Sequence, residues 1–262
     1  MLARCLRIVT VVLVAPFPLL AQEATAPWRT TIEASGNVLY GAASQRVISG
    51  SIALQQMSQR RQVRADLLAG YGDARDLESG ERRVIVRQTR ASTSLDLTPQ
   101  ARVSPFFFSL AENSLQQRIR SRYSGGAGAK LTFWRADSVR AGFLEDASVS
   151  MAVLGEQTLA VPRPGVPDAG SGAGARYRWS ARARVRRRLG DALRLTHLLL
   201  YQPTVDRIGR YTLEATTTLA VPVAARTEFT VTHRERLDSE ARDRGAPSNR
   251  DGQLLFGIRS AF

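Results

Sequence analysis

The stretch RYRWSARARVRRRLG, residues 176–190, constrains the fold more than any other part of the chain. Wound as a helix, its arginines scatter around the whole circumference and leave no apolar stripe for docking. Extended, it resolves into two faces. Ala175, Tyr177, Trp179, Ala181, Ala183 and Val185 fall on one side, and Arg176, Arg178, Ser180, Arg182, Arg184 and Arg186 on the other. The stretch reads as a strand with one apolar and one cationic face.

The same alternation recurs in segments of about ten residues, the length at which a tilted strand crosses a bilayer. Segment 28–40 sets Trp28, Ile32, Ala34, Val38 and Tyr40 against Arg29, Thr31, Glu33, Ser35 and Asn37. Segment 61–71 sets Val63, Ala65, Leu67, Ala69 and Tyr71 against Arg64 and Asp66, and segments 210–221 and 223–236 follow suit. Weaker candidates at 46–57, 83–97, 102–111, 118–133, 147–156 and 192–202, with the arginine strand and a final one, bring the total to about twelve. That number is even, as bacterial single-chain barrels require. The connections alternate as well. Short gaps at 58–60, 98–102, 189–191 and 222–223 fall between long ones at 72–82, 155–174 and 236–251, as expected for short periplasmic turns and longer external loops. WRADSVRAGFLEDAS, 134–148, fits least well, because Glu145 and Asp146 would sit inside a continuous strand. It reads as a longer periplasmic turn. The expected fold is therefore all-β, an antiparallel transmembrane barrel of about twelve strands with both termini periplasmic.

The start, MLARCLRIVTVVLVAPFPLLAQ, has a basic region at Arg4 and Arg7, an apolar run broken by Pro16 and Pro18, and a small residue at Ala21. These are the parts of a secretory signal peptide, which gives a leader over 1–21 and a single barrel domain over 22–262. Cys5 precedes the apolar run, so the mature chain has no thiol, and disulfides, thiolate metal sites and cysteine nucleophiles are excluded. The 37 basic residues give a formal net charge of +14, and all but Lys130 are arginine. Net charge speaks to partners and solubility rather than to fold.

In a membrane the arginine face must turn inward. Arginine facing lipid costs roughly 2 to 4 kcal/mol at the midplane, so five on one strand would cost on the order of 10 kcal/mol, comparable with the whole stability of a domain, about 5 to 15 kcal/mol. Arg176, Arg178, Arg182, Arg184, Arg186, Arg210, Arg226 and Arg234 are accordingly expected to line the lumen. Tyr177 and Trp179 fall on the lipid side, where an aromatic girdle belongs. Glu33, Asp66, Glu214 and Glu228 are candidates to pair with the arginine strand. Two functions follow from such a lumen: a cationic constriction that favours small anionic solutes, or a closed structural barrel plugged by ion pairs.

The chain ends in DGQLLFGIRSAF. Leu254, Phe256, Ile258 and the terminal Phe262 share one face of a last strand. Such an ending resembles the signal read by the barrel-assembly machinery of Gram-negative outer membranes, with Phe256, Ile258 and Phe262 as its carriers. Three stretches, IEASGNVLYGAASQ, RIRSRYSGGAGAKLTF and DGQLLFGIRSAF, are similar to the YdiY-like family of salt-induced outer-membrane proteins, a domain of unknown function, and they span nearly the whole mature chain. The resemblance implies a monomeric outer-membrane barrel and brings no agreed activity or catalytic residues. The long 155–174 loop and the scarcity of lysine depart from that family's pattern.

Other chemistry is thinly supplied. A lipid-modifying enzyme would need a histidine with a serine within reach and a third group to orient it. The two histidines, His197 in RLTHLLLY and His233 in TVTHRER, have no His-x-Ser pattern, and His233, read as lying near the external end of its strand, is the better candidate. No His pair stands at metal-ligand spacing, the Asp-rich loops lack a calcium-loop pattern, and GGAGA at 125–129 reads as a bend in a strand rather than a phosphate loop. No cofactor is expected. Nucleic-acid binding lacks any recognisable module, whereas arginines at loop ends could contact lipopolysaccharide phosphates.

Overall fold

The computed structural model describes residues 27–39, 45–75, 80–136, 144–161, 175–190 and 192–262. The leader expected over 1–21 lies outside the described residues, as does most of the long connection at 155–174. Twelve strands follow in chain order: β1 (Arg29–Leu39), β2 (Gln45–Met57), β3 (Gln62–Arg75), β4 (Arg82–Asp96), β5 (Val103–Ser114), β6 (Ile119–Arg135), β7 (Leu144–Ala160), β8 (Arg176–Leu189), β9 (Leu193–Pro203), β10 (Tyr211–Ala224), β11 (Thr227–Asp238) and β12 (Arg250–Ala261). Each pairs antiparallel with its sequence neighbours, and β1 pairs with β12 to close the barrel. At the seam, Thr30 N–H donates to Phe262 O at 3.0 Å and Phe262 N–H to Thr30 O at 2.8 Å. Closure leaves no unpaired edge, the condition for placing strands in hydrocarbon.

The connections sort into two ends. Those at 40–44, 76–81, 115–118, 161–175, 204–210 and 239–249 form one, the loop end. Those at 58–61, 97–102, 136–143, 190–192 and 225–226 form the other, the turn end, together with the first residue of β1 and Phe262.

Side chains alternate as a membrane barrel demands. Ile32, Ile48, Ile52, Leu67, Phe107, Tyr123, Met151, Val153, Tyr177, Trp179, Leu254, Phe256 and Ile258 are large apolar residues exposed on the outer wall. The inner positions are mostly Ser, Thr, Arg, Asp and Glu, with one small apolar cluster of Val47, Val86 and Leu255. Two inward glycines shape the wall. A Cβ on Gly126 would stand 2.2 Å from Val153 O, and one on Gly128 2.1 Å from Met151 O, so β6 lies tightly against β7 there. Phe108 and Phe106 are their register partners on β5, and these two rings, 6.0 Å apart, cover the surface the glycines leave bare.

Three expectations are corrected. The turn placed at 134–148 is too long, since β6 runs to Arg135 and β7 begins at Leu144, and Glu145 and Asp146 lie inside β7. Their carboxylates are tolerated because arginines surround them: Glu145 is 3.2 Å from Arg188 and 3.5 Å from Arg194, and Asp146, without an ion pair of its own among the described residues, lies in register between Arg135 and Arg186. The turn placed at 222–223 falls instead at 225–226, because β10 runs on through a bulge between Pro222 and Ala224. A bulge is where a strand tolerates proline. Arg226 is therefore an exposed turn residue, and Arg210 belongs to the 204–210 connection; neither stands on the barrel wall.

Candidate functional site: a charged lumen

A bridge of ion pairs crosses the lumen toward the loop end. Arg236 of β11 meets Glu112 of β5 at 2.8 Å, and Arg90 of β4 meets Glu214 of β10 at 2.6 Å. In the ring of twelve, β5 and β11 are six strands apart in either direction, as are β4 and β10. A circular wall of twelve strands, spaced about 4.8 Å and tilted about 40°, has a backbone diameter of roughly 24 Å. An arginine and a glutamate joined end to end span only about 14 Å. Direct contact between opposite strands therefore requires the barrel to be flattened at this level.

The bridge is well compensated. Glu112 also accepts from Arg90 at 2.8 Å and from Arg122 at 3.0 Å, and Arg122 reaches Asp238 at 3.2 Å. Beside it, Arg178 is 1% exposed and holds Glu156 at 3.1 Å and Glu240 at 3.3 Å. Glu240 also takes Arg176 at 2.7 Å and Arg210 at 3.7 Å. The 239–249 connection thereby folds over the mouth: Ala241 and Ala246 are buried, and Arg244 bonds both Asp238, at 2.7 Å, and Gln117 O, at 3.1 Å.

Below the bridge the balance changes. Arg182, Arg184 and Arg186 project inward from β8 and Arg234 from β11, and none makes a hydrogen bond or ion pair with another described residue. Arg182 and Arg184 line cavities of about 240 and 470 Å³, the latter shared with Arg234. Arg184 and Arg186 line a third, of about 560 Å³, toward the turn end.

Of the eight arginines expected in the lumen, six thus stand on its wall or mouth: Arg176 and Arg178 compensated, and Arg182, Arg184, Arg186 and Arg234 without a partner. The four carboxylates proposed as partners of the arginine strand pair elsewhere. Glu33 meets Arg259 at 2.8 Å, Asp66 meets Arg64 at 2.6 Å, Glu228 meets Arg194 at 2.9 Å, and Glu214 meets Arg90 and Arg236. The strand's actual partners are Glu156, Glu240 and, at Arg188, Glu145, none of which sequence reasoning assigned to it. Glu156 is the register partner of Arg176 and became legible once β7 was known to run to Ala160. Glu240 arrives from a loop and has no sequence signal.

Both histidines face outward. His233 is mid-strand rather than near the end, and it shares a register row with Thr217 and His197. His197 Nδ1 lies 2.9 Å from Thr217 Oγ1. No serine or carboxylate lies within hydrogen-bond distance of either imidazole among the described residues. Among the same residues no group of three or more His, Cys, Asp or Glu could hold a metal ion.

A closed antiparallel ring with an apolar outer wall and a charged interior defines a transmembrane β-barrel. The sequence profile of DUF481, described as a protein of unknown function, matches residues 32–262, and the chain belongs to that family of outer-membrane barrels. No curated protein matches. Among solved structures, the COG4313 outer membrane channel from Pseudomonas putida F1 superposes with a TM-score of 0.48 at 11% identity, covering 95% of this chain and 98% of that one. The translocator domain of the autotransporter NalP from Neisseria meningitidis gives a TM-score of 0.46 at 10% identity, with coverages of 93% and 91%. The KdgM porin gives 0.43 at 8% identity, with coverages of 89% and 99%.

Proposed function

We propose that this chain is a narrow, anion-favouring outer-membrane barrel without enzymatic activity. In this reading the loop end is external, both termini are periplasmic, and the chain is exported by its leader and works as a monomer. The observation that carries the reading is the set of inward arginines, Arg182, Arg184, Arg186 and Arg234, that no described carboxylate contacts directly and that line cavities of about 240 to 560 Å³. Unneutralised cations in a low-dielectric wall attract anions and repel cations. The outward Phe256 and Ile258, with Phe262 at the seam, are assigned to recognition by the barrel-assembly machinery. Arg46 and Arg82, which hold Asp73 on the outer wall at the loop end, are suited to lipopolysaccharide phosphates.

The bridge favours a second reading, a closed structural barrel, because it fills the flattened section with compensated charge. Single-channel recording in a planar bilayer under a KCl gradient separates the two. Discrete steps with a chloride-side reversal potential, weakened or reversed in Arg182→Glu/Arg184→Glu, support the anion pathway. Silence from folded protein supports the closed barrel, and unchanged selectivity in the folded double variant removes the arginine strand from the mechanism.

A further inference from the structure

We infer that the turn end of the lumen is a binding site for a small, multiply charged oxyanion. The site lies in the lumen of the anion-favouring reading and deepens it, but it requires no conduction. Its wall is made by three adjacent strands in register. Across β8, β7 and β6 the rows run Arg182, Ser150, Lys130; then Arg184, Ser148, Thr132; then Arg186, Asp146, Arg135. Adjacent strands lie about 4.8 Å apart and alternate residues on one strand about 7 Å apart. Guanidinium and hydroxyl donors therefore form a grid a few ångströms in mesh.

The cavity before this wall, about 560 Å³, is lined by Arg64, Lys130, Arg135, Arg184, Arg186 and Arg188 against two carboxylates, Glu145 and Asp146. Pockets for small molecules run from about 300 to 1,000 Å³. Some of the charge is already met: Arg188 by Glu145, Arg64 by Asp66, and Lys130 by Asp96. Arg184 and Arg186 make no ion pair or hydrogen bond among the described residues, Asp146 acting on Arg184 only through space and forming no ion pair with Arg186. Two like charges on one strand repel, and that repulsion is stronger in a half-buried cavity than in bulk water. A monovalent anion relieves one guanidinium. A di- or polyanion spanning both relieves the pair at once, and the planar fork of arginine suits phosphate and carboxylate oxygens. Ser148 and Thr132 place hydroxyl donors in the same row as Arg184. The bridge toward the loop end stands across the lumen beyond this cavity, so such an anion is held from the turn side.

The test is calorimetric titration of the refolded chain in zwitterionic detergent with inorganic pyrophosphate, at constant chloride. Saturable binding, tighter for pyrophosphate than for orthophosphate and weakened at least tenfold in Arg184→Gln/Arg186→Gln, is the expected result. Arg120→Gln/Arg207→Gln removes the same charge from exposed positions outside the cavity and leaves the affinity unchanged. Absence of pyrophosphate binding, or equal loss in both double variants, overturns the site. The Arg184/Arg186 variant removes an unrelieved repulsion, so it folds, and heat-modifiable gel migration checks this. Bilayer recordings on the same preparations keep the two ideas apart. Binding with electrical silence retains the site and sinks conduction, whereas conduction without binding does the reverse.

Discussion

Arg236 and Glu112 meet at 2.8 Å although their strands stand on opposite sides of the ring. That contact ties the shape of the barrel to its charge, since the section must stay flattened for the pair to persist. Glu112 is the hub, accepting from Arg90, Arg122 and Arg236. Removing one partner of a buried charge pair costs about 3 to 5 kcal/mol because it strands the others. Glu112→Gln is therefore expected to lower the unfolding free energy in urea by about that amount and, with Glu214→Gln added so that neither pair spans the ring, to let the section relax toward circular. A larger single-channel conductance than the parent protein would record the relaxation. A folded variant with unchanged stability and conductance would show that the bridge neither props nor narrows the lumen.

Neighbouring residues on β7 should respond in opposite directions to added charge. Met151 faces outward and is 55% exposed, so Met151→Lys places a cation in lipid at a cost of roughly 2 to 4 kcal/mol. Ser150, the next residue, lies inward between Arg182 and Lys130 in register, so Ser150→Asp supplies a missing counter-charge and should leave stability unchanged or raised. Urea titration of the two variants in lipid vesicles measures the contrast. Equal destabilisation by both would contradict the assignment of the two faces.

Gly128 tests how closely the wall coils. Its substitution by alanine puts a Cβ 2.1 Å from Met151 O and 2.6 Å from the Ala152 Cβ, so the β6–β7 pairing must shift. The expected loss is on the order of 3 kcal/mol, the upper range for overpacking. Gly125→Ala, whose Cβ would be 3.6 Å from Phe108 O, is the matched control and should fold normally. Comparing the folded fraction of each by gel migration decides the matter.

Much of this architecture was legible because a two-residue period survives on every strand where one face meets an apolar medium. Val63 to Tyr71 and Ala175 to Val185 carry it openly, and the strand count and the alternating connections followed. The period failed where the protein compensates charge in place. Glu145 and Asp146 look like turn residues until Arg188, Arg194 and the Arg135–Arg186 row are known. Lumen-facing side chains could be named from parity, but their partners could not. Parity assigns a residue to a face, and register assigns its neighbours on adjoining strands, yet the decisive contacts cross the lumen. Arg236 and Glu112, 124 positions apart, meet only because the section is flattened. Glu240 was beyond reach for another reason: it comes from a connection whose path over the mouth is set by Asp238 and Gln117, not by any periodicity.

That connection yields the last prediction. Asp238, 1% exposed, accepts from Arg244 and Arg122, and it also receives the Glu240 N–H at 3.0 Å, so one carboxylate fixes both the start and the middle of the 239–249 segment. Asp238→Asn keeps the shape but removes the charge, leaving Arg122 with Glu112, Glu156 and Thr158 and leaving Arg244 with the Gln117 carbonyl. The segment should loosen around Arg244 while Glu240 stays with Arg176 and Arg178 and the strands stay paired, because those ion pairs, the ladder hydrogen bonds and the lipid-facing wall are untouched. Arg242 and Arg244 are trypsin sites, and a local opening raises cleavage in proportion to the population of the open form. Trypsin is therefore expected to cut the folded variant between β11 and β12 many times faster than the parent, with heat-modifiable migration preserved. Equal cleavage rates would mean that the segment is held by the Glu240 ion pairs and by its packing at Ala241 and Ala246 rather than by the charge of Asp238.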